Sequence, residues 1–154
     1  MSIETARGIN CDISGVRIAQ IPEAWEAVAP LLARSVGVSC AEEGLADIYL
    51  KLQEGTYQLW VVSTEEDGIL AVAVTVVYLS PKGSVVEAVH LGGERLANWL
   101  DDLVSTVEEW SRELGACETR IKGRRGWEKV FGRLGYSPSA VIMSKPIRLE
   151  TEVN

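Results

Sequence analysis

The residues best placed to do chemistry lie between Ser84 and Tyr136. An apolar strand, Ser84 to Leu91, ends on Gly92-Gly93 and opens directly into a long helix. A chain that turns at paired glycines into a helix leaves N–H groups without intrahelical partners, and those groups suit an anion. A second short strand, Cys117 to Lys122, follows that helix. It leads through Gly123-Arg124-Arg125-Gly126-Trp127 into a last helix that stops at Gly135-Tyr136. Cations crowd this second half: Arg120, Lys122, Arg124, Arg125, Lys129 and Arg133 stand against Glu128, whereas the preceding helix carries Asp101, Asp102, Glu108, Glu109 and Glu113. An acidic body with one basic corner at Arg124 and Arg125 suits a small phosphorylated ligand or a protein partner better than a duplex.

The chain of 154 residues carries a net charge of −7, which opposes general nucleic-acid binding, since that depends on phosphate neutralisation. Its 47% apolar content can build a core without metal or disulfide support. No apolar run approaches the roughly 18 residues that cross a bilayer, and residues 1–14 lack a secretory layout, so a soluble, cytoplasmic protein is expected. Cys11, Cys40 and Cys117 are widely spaced and never form C-x-x-C, which supports reduced thiols and no zinc site. With His90 the one histidine, a transition-metal centre is not expected.

These residues must be held by elements that the pattern predicts. Residues 1–14 read as a loose lead-in, 15–147 as one domain and 148–154 as a tail. A strand is expected over Gly15 to Gln20, then a helix over about Pro22 to Val36 with Trp25, Val28, Leu32 and Val36 on one side. Pro30 inside it predicts a kink or break. A second helix starting at Ser39 or Cys40 would carry Glu42 and Glu43 in its first turn, with Gly55 as its stop. Strands follow at Tyr57 to Ser63, Ile69 to Leu79 and Ser84 to Leu91, joined by turns at Glu66-Asp67-Gly68 and Pro81-Lys82-Gly83. The helix from about Glu94 to Leu114 has the clearest amphipathic stripe, from Leu96 and Leu100 to Trp110, and Trp99 falls off it as an expected exposed contact. In the last helix Trp127, Val130, Phe131 and Leu134 face inward, and Ala140 to Met143 reads as a final strand. The order β-α-α-β-β-β-α-β-α-β predicts an α/β (α+β) mixed sheet with helices on both faces, and no Rossmann fingerprint follows the first strand.

That order, with Gly92-Gly93-Glu94-Arg95-Leu96 at the helix start, Trp110 to Cys117, Gly123 to Val130 and the closing Leu134-Gly135-Tyr136, resembles the GNAT (GCN5-related N-acetyltransferase) superfamily. The Gly-Arg-x-Gly-Trp run and final Gly-Tyr look like the small GNAT-like proteins of tailed bacteriophages. The resemblance implies a loop that holds the pyrophosphate of acetyl-CoA, placed here at Leu91, Gly92, Gly93 and Arg95. This loop is shorter than the family pattern and lacks its leading basic residue, and Glu94 in the first turn would compete for the dipole. Phe131 stands where a general acid, commonly Tyr, is usual, which leaves Tyr136 or Tyr78 as substitutes or as structural hydrogen-bonding groups. Glu87, flanked on its face by Val85 and Val89, matches a general-base position or else forms an ion pair. His90, on the opposite face by alternation, is a second candidate base or a structural group. The implied functions are N-acylation of an unidentified small-molecule or protein amine, or a non-catalytic GNAT-fold component, a virion part or host-interaction protein, that binds a partner. A homodimer would cover the strand edges at the C-terminal end.

Overall fold

A computed structural model describes residues 11–38, 43–123 and 125–148, with the side chains of 36–38 excepted. Five strands form one mixed sheet in the order β1-β2-β3-β4-β5. Strands β1 (Asp12–Val16), β2 (Tyr57–Thr64), β3 (Gly68–Ser80) and β4 (Gly83–Gly93) pair antiparallel, because short turns join β2 to β3 and β3 to β4. Strand β5 (Glu118–Ile121) pairs parallel with β4 because a helix intervenes. Helices α1 (Ile21–Val38) and α2 (Leu45–Glu54) cover one face, and α3 (Leu96–Glu113) and α4 (Trp127–Gly132) cover the other.

Each face has its own core. Ile21, Val28, Leu32, Ile48 and Leu52 pack on Leu59, Val61, Val72 and Val74, the outward alternation of β2 and β3. Trp60, Val62, Ala71 and Ala73 point the other way, onto Trp99, Leu100, Leu103 and Phe131. This period of two explains why β2 and β3 read as nearly continuous apolar runs, since both faces are buried. Trp60 donates to Thr75 Oγ1 (3.0 Å), which donates to Gln58 Oε1 (2.9 Å), so these buried polar groups are paired with one another.

Several expectations change. The first strand lies at Asp12–Val16, and Ile18–Gln20 is a 3₁₀ turn, because the chain must bend into α1. Helix α1 runs through the exposed Pro30 without a break, its apolar stripe being held by the sheet on either side. Trp99 is 1% exposed and donates its indole N–H to the Glu94 carbonyl, so it belongs to the core rather than the surface. Helix α2 starts at Leu45, with Gly44 as N-cap and Asp47 accepting from the Gly44 amide (3.1 Å). Glu43 therefore precedes the helix, and Ser39, Cys40 and Glu42 lie outside the described residues. Ala140 to Met143 forms no strand: residues 137–148 are irregular and exposed, since no neighbouring edge pairs with them.

Candidate functional site

Strand β4 does the positioning. Its partner β5 matches it from Val85↔Glu118 to Ala88↔Ile121, with Lys122 N–H still donating to the Ala88 carbonyl (2.9 Å). Beyond Ala88, β4 continues to Gly93 with no β5 partner among the described residues. A bulge lies at the same level, where the register steps from Thr75↔Ala88 to Val74↔His90. An extra residue in one strand bends it and re-aims its side chains. The pairing of the two strands thus stops just where β4 is bent.

Where that pairing ends, on the α3 and α4 side, lies a small cavity of about 30 Å³. Ala88 and Leu91 of β4, Ile121 of β5, Leu103 of α3 and Phe131 of α4 contribute apolar walls. Trp127 packs over Gly123 instead of plugging the gap.

The diglycine serves a purpose that the pattern did not reveal. A Cβ on Gly92 would sit 2.4 Å from the Leu31 carbonyl of α1, and one on Gly93 would sit 2.4 Å from Ala71 Cβ. Gly93 also has φ 149, a conformation that favours glycine. The pair lets β4 pass close to α1 and β3. The Glu94 amide donates to the Leu70 carbonyl (3.1 Å), continuing the ladder. Helix α3 then begins at Leu96 with Arg95 as N-cap in the left-handed region (φ 56), without a side-chain cap and without an acidic residue in its first turn. Glu94 lies outside that turn and faces Arg34 (3.3 Å) in an exposed pair. The expected competition from Glu94 for the helix dipole is therefore removed. Arg95 reaches back to Asp67 of the β2–β3 turn (2.9 Å), again in an exposed pair.

Glu87 lies on the α1/α2 face, since its neighbours Val86 and Ala88 line the cavity opposite. It accepts from Tyr78 OH (3.3 Å), which in turn accepts from Arg120 Nη1 (2.7 Å). Arg120 also donates through Nε to Glu118 (2.9 Å). Burial and the charge of Glu87 raise the Tyr78 hydroxyl above its ordinary pKa, with Arg120 opposing. A carboxylate held by a tyrosine that an arginine in turn holds can accept a proton from an incoming ammonium.

Alternation put His90 opposite Glu87, but the bulge returns it to the same face, about 10 Å further along the strand. His90 is 3% exposed, and its Nε2 lies 2.8 Å from Glu43 Oε2. Glu43 also accepts from Tyr57 OH (2.6 Å) and Lys51 Nζ (2.7 Å). Burial pushes the Glu43 carboxyl up, but hydrogen bonds from Lys51, Tyr57 and His90 outweigh it and hold the group at about 2. Burial and the Glu43 carboxylate push Tyr57 up to about 12. Sequence reasoning missed Glu43 as a hub, because nothing in its spacing marks a residue that leaves a helix to enter the sheet.

Tyr136 packs edge-on against Phe131 (5.6 Å), and its hydroxyl lies between Thr119 Oγ1 (2.9 Å) and Glu108 Oε2 (2.9 Å). Burial pushes it up to about 12, and Glu108 adds to the rise while Thr119 opposes it. Its proton is directed at Glu108. Phe131, 4% exposed, fills the wall where the resemblance implied an acid. Of the basic corner, Arg125 is exposed in the turn before α4, and Arg124 lies outside the described residues. Cys11 and Cys117 are free thiols, and Cys40 also lies outside.

No protein-family model matches the sequence, and no curated protein matches it. Solved structures do share the fold. An aminoglycoside acetyltransferase from an uncultured soil metagenomic sample, in complex with trehalose, aligns with TM-score 0.67 and 11% identity over 90% of this chain and 97% of that one. A ribosomal-protein-alanine N-acetyltransferase from Brucella melitensis aligns with TM-score 0.63 and 16% identity over 90% and 99%. An aminoglycoside N-acetyltransferase in complex with CoA aligns with TM-score 0.65 and 16% identity over 92% and 97%. The expected GNAT-like architecture is the one observed.

Proposed function

We propose that this chain is an N-acyltransferase that uses acetyl-CoA to acylate an amine on a small molecule or a protein. The observation that carries the reading is the departure of β4 from β5 beyond Ala88 and Ile121, above an apolar cavity. The fold shared with acetyltransferases, one of them in complex with CoA, supports it.

The residues present fit such a cofactor. The first-turn amides of α3, at Leu96 and Ala97, have no acidic side chain in that turn to compete with a pyrophosphate. Arg95 adds a charge once it leaves Asp67, at small cost because exposed pairs contribute about 0.2–1 kcal/mol. Gly92 and Gly93 hold the end of β4 in place, and Leu91 flanks the apolar arm. When bound, acetyl-CoA supplies a thioester activated towards amines. Glu87 Oε2, steadied by Tyr78 and Arg120, takes the ammonium proton as the amine approaches from the α1/α2 face. Phe131 and Leu103 keep water from the cavity wall. Tyr136 fixes α4 against β5 through Thr119 and against α3 through Glu108. Most of the rate comes from holding the amine in attack geometry, to which proton transfer adds about tenfold or more.

The test is thiol release by the full chain with acetyl-CoA and three amine classes: an aminoglycoside, an amino sugar and a peptide N-terminus. Turnover is expected with at least one class and should fall about tenfold or more in Glu87→Gln. The second reading, a non-catalytic component that binds a protein partner, is favoured by one observation, the absence of a free acid at Phe131 and Tyr136. Acetyl-CoA binding with no turnover on any class supports that reading instead.

A further inference from the structure

We infer, resting on the transferase reading, that the cavity beside the end of the β4–β5 pairing seats the tail of an acyl group longer than acetyl. Propionyl and butyryl thioesters are then bound more tightly than acetyl. Ala88 and Ile121, the last residues paired between the two strands, both line the cavity, which therefore starts at the level where the thioester enters. Small side chains make the room. On the α3/α4 face β3 carries Ala71 and Ala73, against Val72 and Val74 on the other, and β4 adds Ala88. Protein interiors seldom keep voids larger than a water. One of about 30 Å³ holds two water-sized groups, at roughly 10–15 Å³ each. Water is a poor occupant, because a buried water needs roughly two to four polar partners. The hydroxyls at the cavity are already engaged, Thr75 with Trp60 and Gln58, and Tyr136 with Thr119 and Glu108. Arg120 sends its guanidinium to Tyr78 and Glu118 instead. What is left facing the space is hydrocarbon, from Val86, Val104 and Val107 among others. Carbon fits here where water does not.

The approach of the amine sets the direction of the tail. With Glu87 on the α1/α2 face, the amine meets the acyl carbon from that face. The acyl tail is pushed towards the opposite face, where the cavity lies. The amine nitrogen bonds to the acyl carbon as the carbon–sulfur bond breaks. Of the two protons that the ammonium loses, one goes to Glu87 and the other to the departing thiolate. An acetyl group leaves the cavity empty, a propionyl group puts one carbon in it and a butyryl group two. A six-carbon chain overfills it, and overpacking is itself unfavourable. Each carbon that enters should tighten binding about fourfold, the equivalent of about 0.8 kcal/mol per buried methylene.

Isothermal titration of the full chain with CoA and its acetyl, propionyl, butyryl and hexanoyl thioesters tests this. Kd should fall about fourfold from acetyl to propionyl and again to butyryl, then rise at hexanoyl. Equal or weaker binding of propionyl and butyryl, or still tighter binding of hexanoyl, overturns the proposal without touching acetyl transfer. No binding of any of them, free CoA included, overturns both. Val104, on α3, varies the size of the cavity from the wall away from the strands. Val104→Ile should lower the ratio of butyryl to acetyl affinity about fourfold, and Val104→Ala should extend the tightening to hexanoyl. Each ratio is read within one variant, so a change in overall stability does not move it. Ratios that neither variant shifts overturn the placement of the tail.

Discussion

Glu43 Oε2 lies 2.8 Å from His90 Nε2, joining the residue just before α2 to the buried side chain beside the β4 bulge. The same carboxylate takes the Tyr57 hydroxyl from β2 and the Lys51 ammonium from α2. One side chain thus fastens the start of α2 to two strands of the sheet, on the face that carries Glu87. His90 Nδ1 is buried without a hydrogen-bond partner among the described residues, so the ring is held through Nε2. A base held this way, with one nitrogen engaged and the other enclosed, positions the strand rather than meeting a substrate.

Replacing Glu43 with Gln should lower stability at neutral pH by roughly 2 kcal/mol, about 6 °C in melting temperature. The sign with pH follows from the carboxyl being held at about 2, below its ordinary 4.5. The stabilisation is present above about 4.5 and is lost as pH falls towards 2. Melting curves of the two proteins should converge over that window. A gap that persists unchanged to pH 2 would contradict the charge-based account.

Gly92→Ala should destabilise by about 1–3 kcal/mol, because the new Cβ meets the Leu31 carbonyl at 2.4 Å and backbone must move. Gly132→Ala, at the end of α4 with nothing near its Cβ, should be neutral or stabilise by up to about 1 kcal/mol. Urea unfolding of both variants checks the contrast. Equal effects would mean that the diglycine is not there for close packing.

Tyr136→Phe removes a hydroxyl that bridges Thr119 and Glu108. Stability should fall by about 1–2 kcal/mol, whereas kcat for acyl transfer should stay within about threefold. A loss of kcat on the order of a hundredfold with stability intact would instead make Tyr136 the proton donor.

Phe131→Tyr places a hydroxyl on the cavity wall where an acid is missing. The variant should be less stable by about 1–2 kcal/mol, since the buried hydroxyl gains no evident partner. Its kcat should nonetheless rise about tenfold or more, with a new basic limb in the pH–rate profile. An unchanged kcat would show that proton supply does not limit the reaction.

The elements were legible wherever local rules act alone. Gly55 and Gly115 adopt positive φ at the ends of α2 and α3, Asp67-Gly68 turns between β2 and β3, and the Leu100–Leu103 stripe of α3 is buried as its spacing requires. What escaped depends on contacts distant in sequence. Alternation fails at His90 because the bulge at Val89 is set by pairing with β3. Trp99 looked exposed because its burial depends on the Ala71 side of the sheet and on the Glu94 carbonyl. Gly92 and Gly93 are required for close approach to Leu31 and Ala71, a packing reason that lies in contacts distant in sequence. Ala140 to Met143 has the composition of a strand, yet composition cannot supply an edge to pair with.

Thermal unfolding of the full chain with acetyl-CoA reads most directly whether the cofactor enters where β4 parts from β5. At 100 times its dissociation constant, acetyl-CoA should stabilise the protein by about 2.7 kcal/mol, a rise of several degrees. The rise should be smaller for Leu91→Trp, which narrows the cavity wall. No shift at millimolar acetyl-CoA would contradict the account and leave only a shared fold.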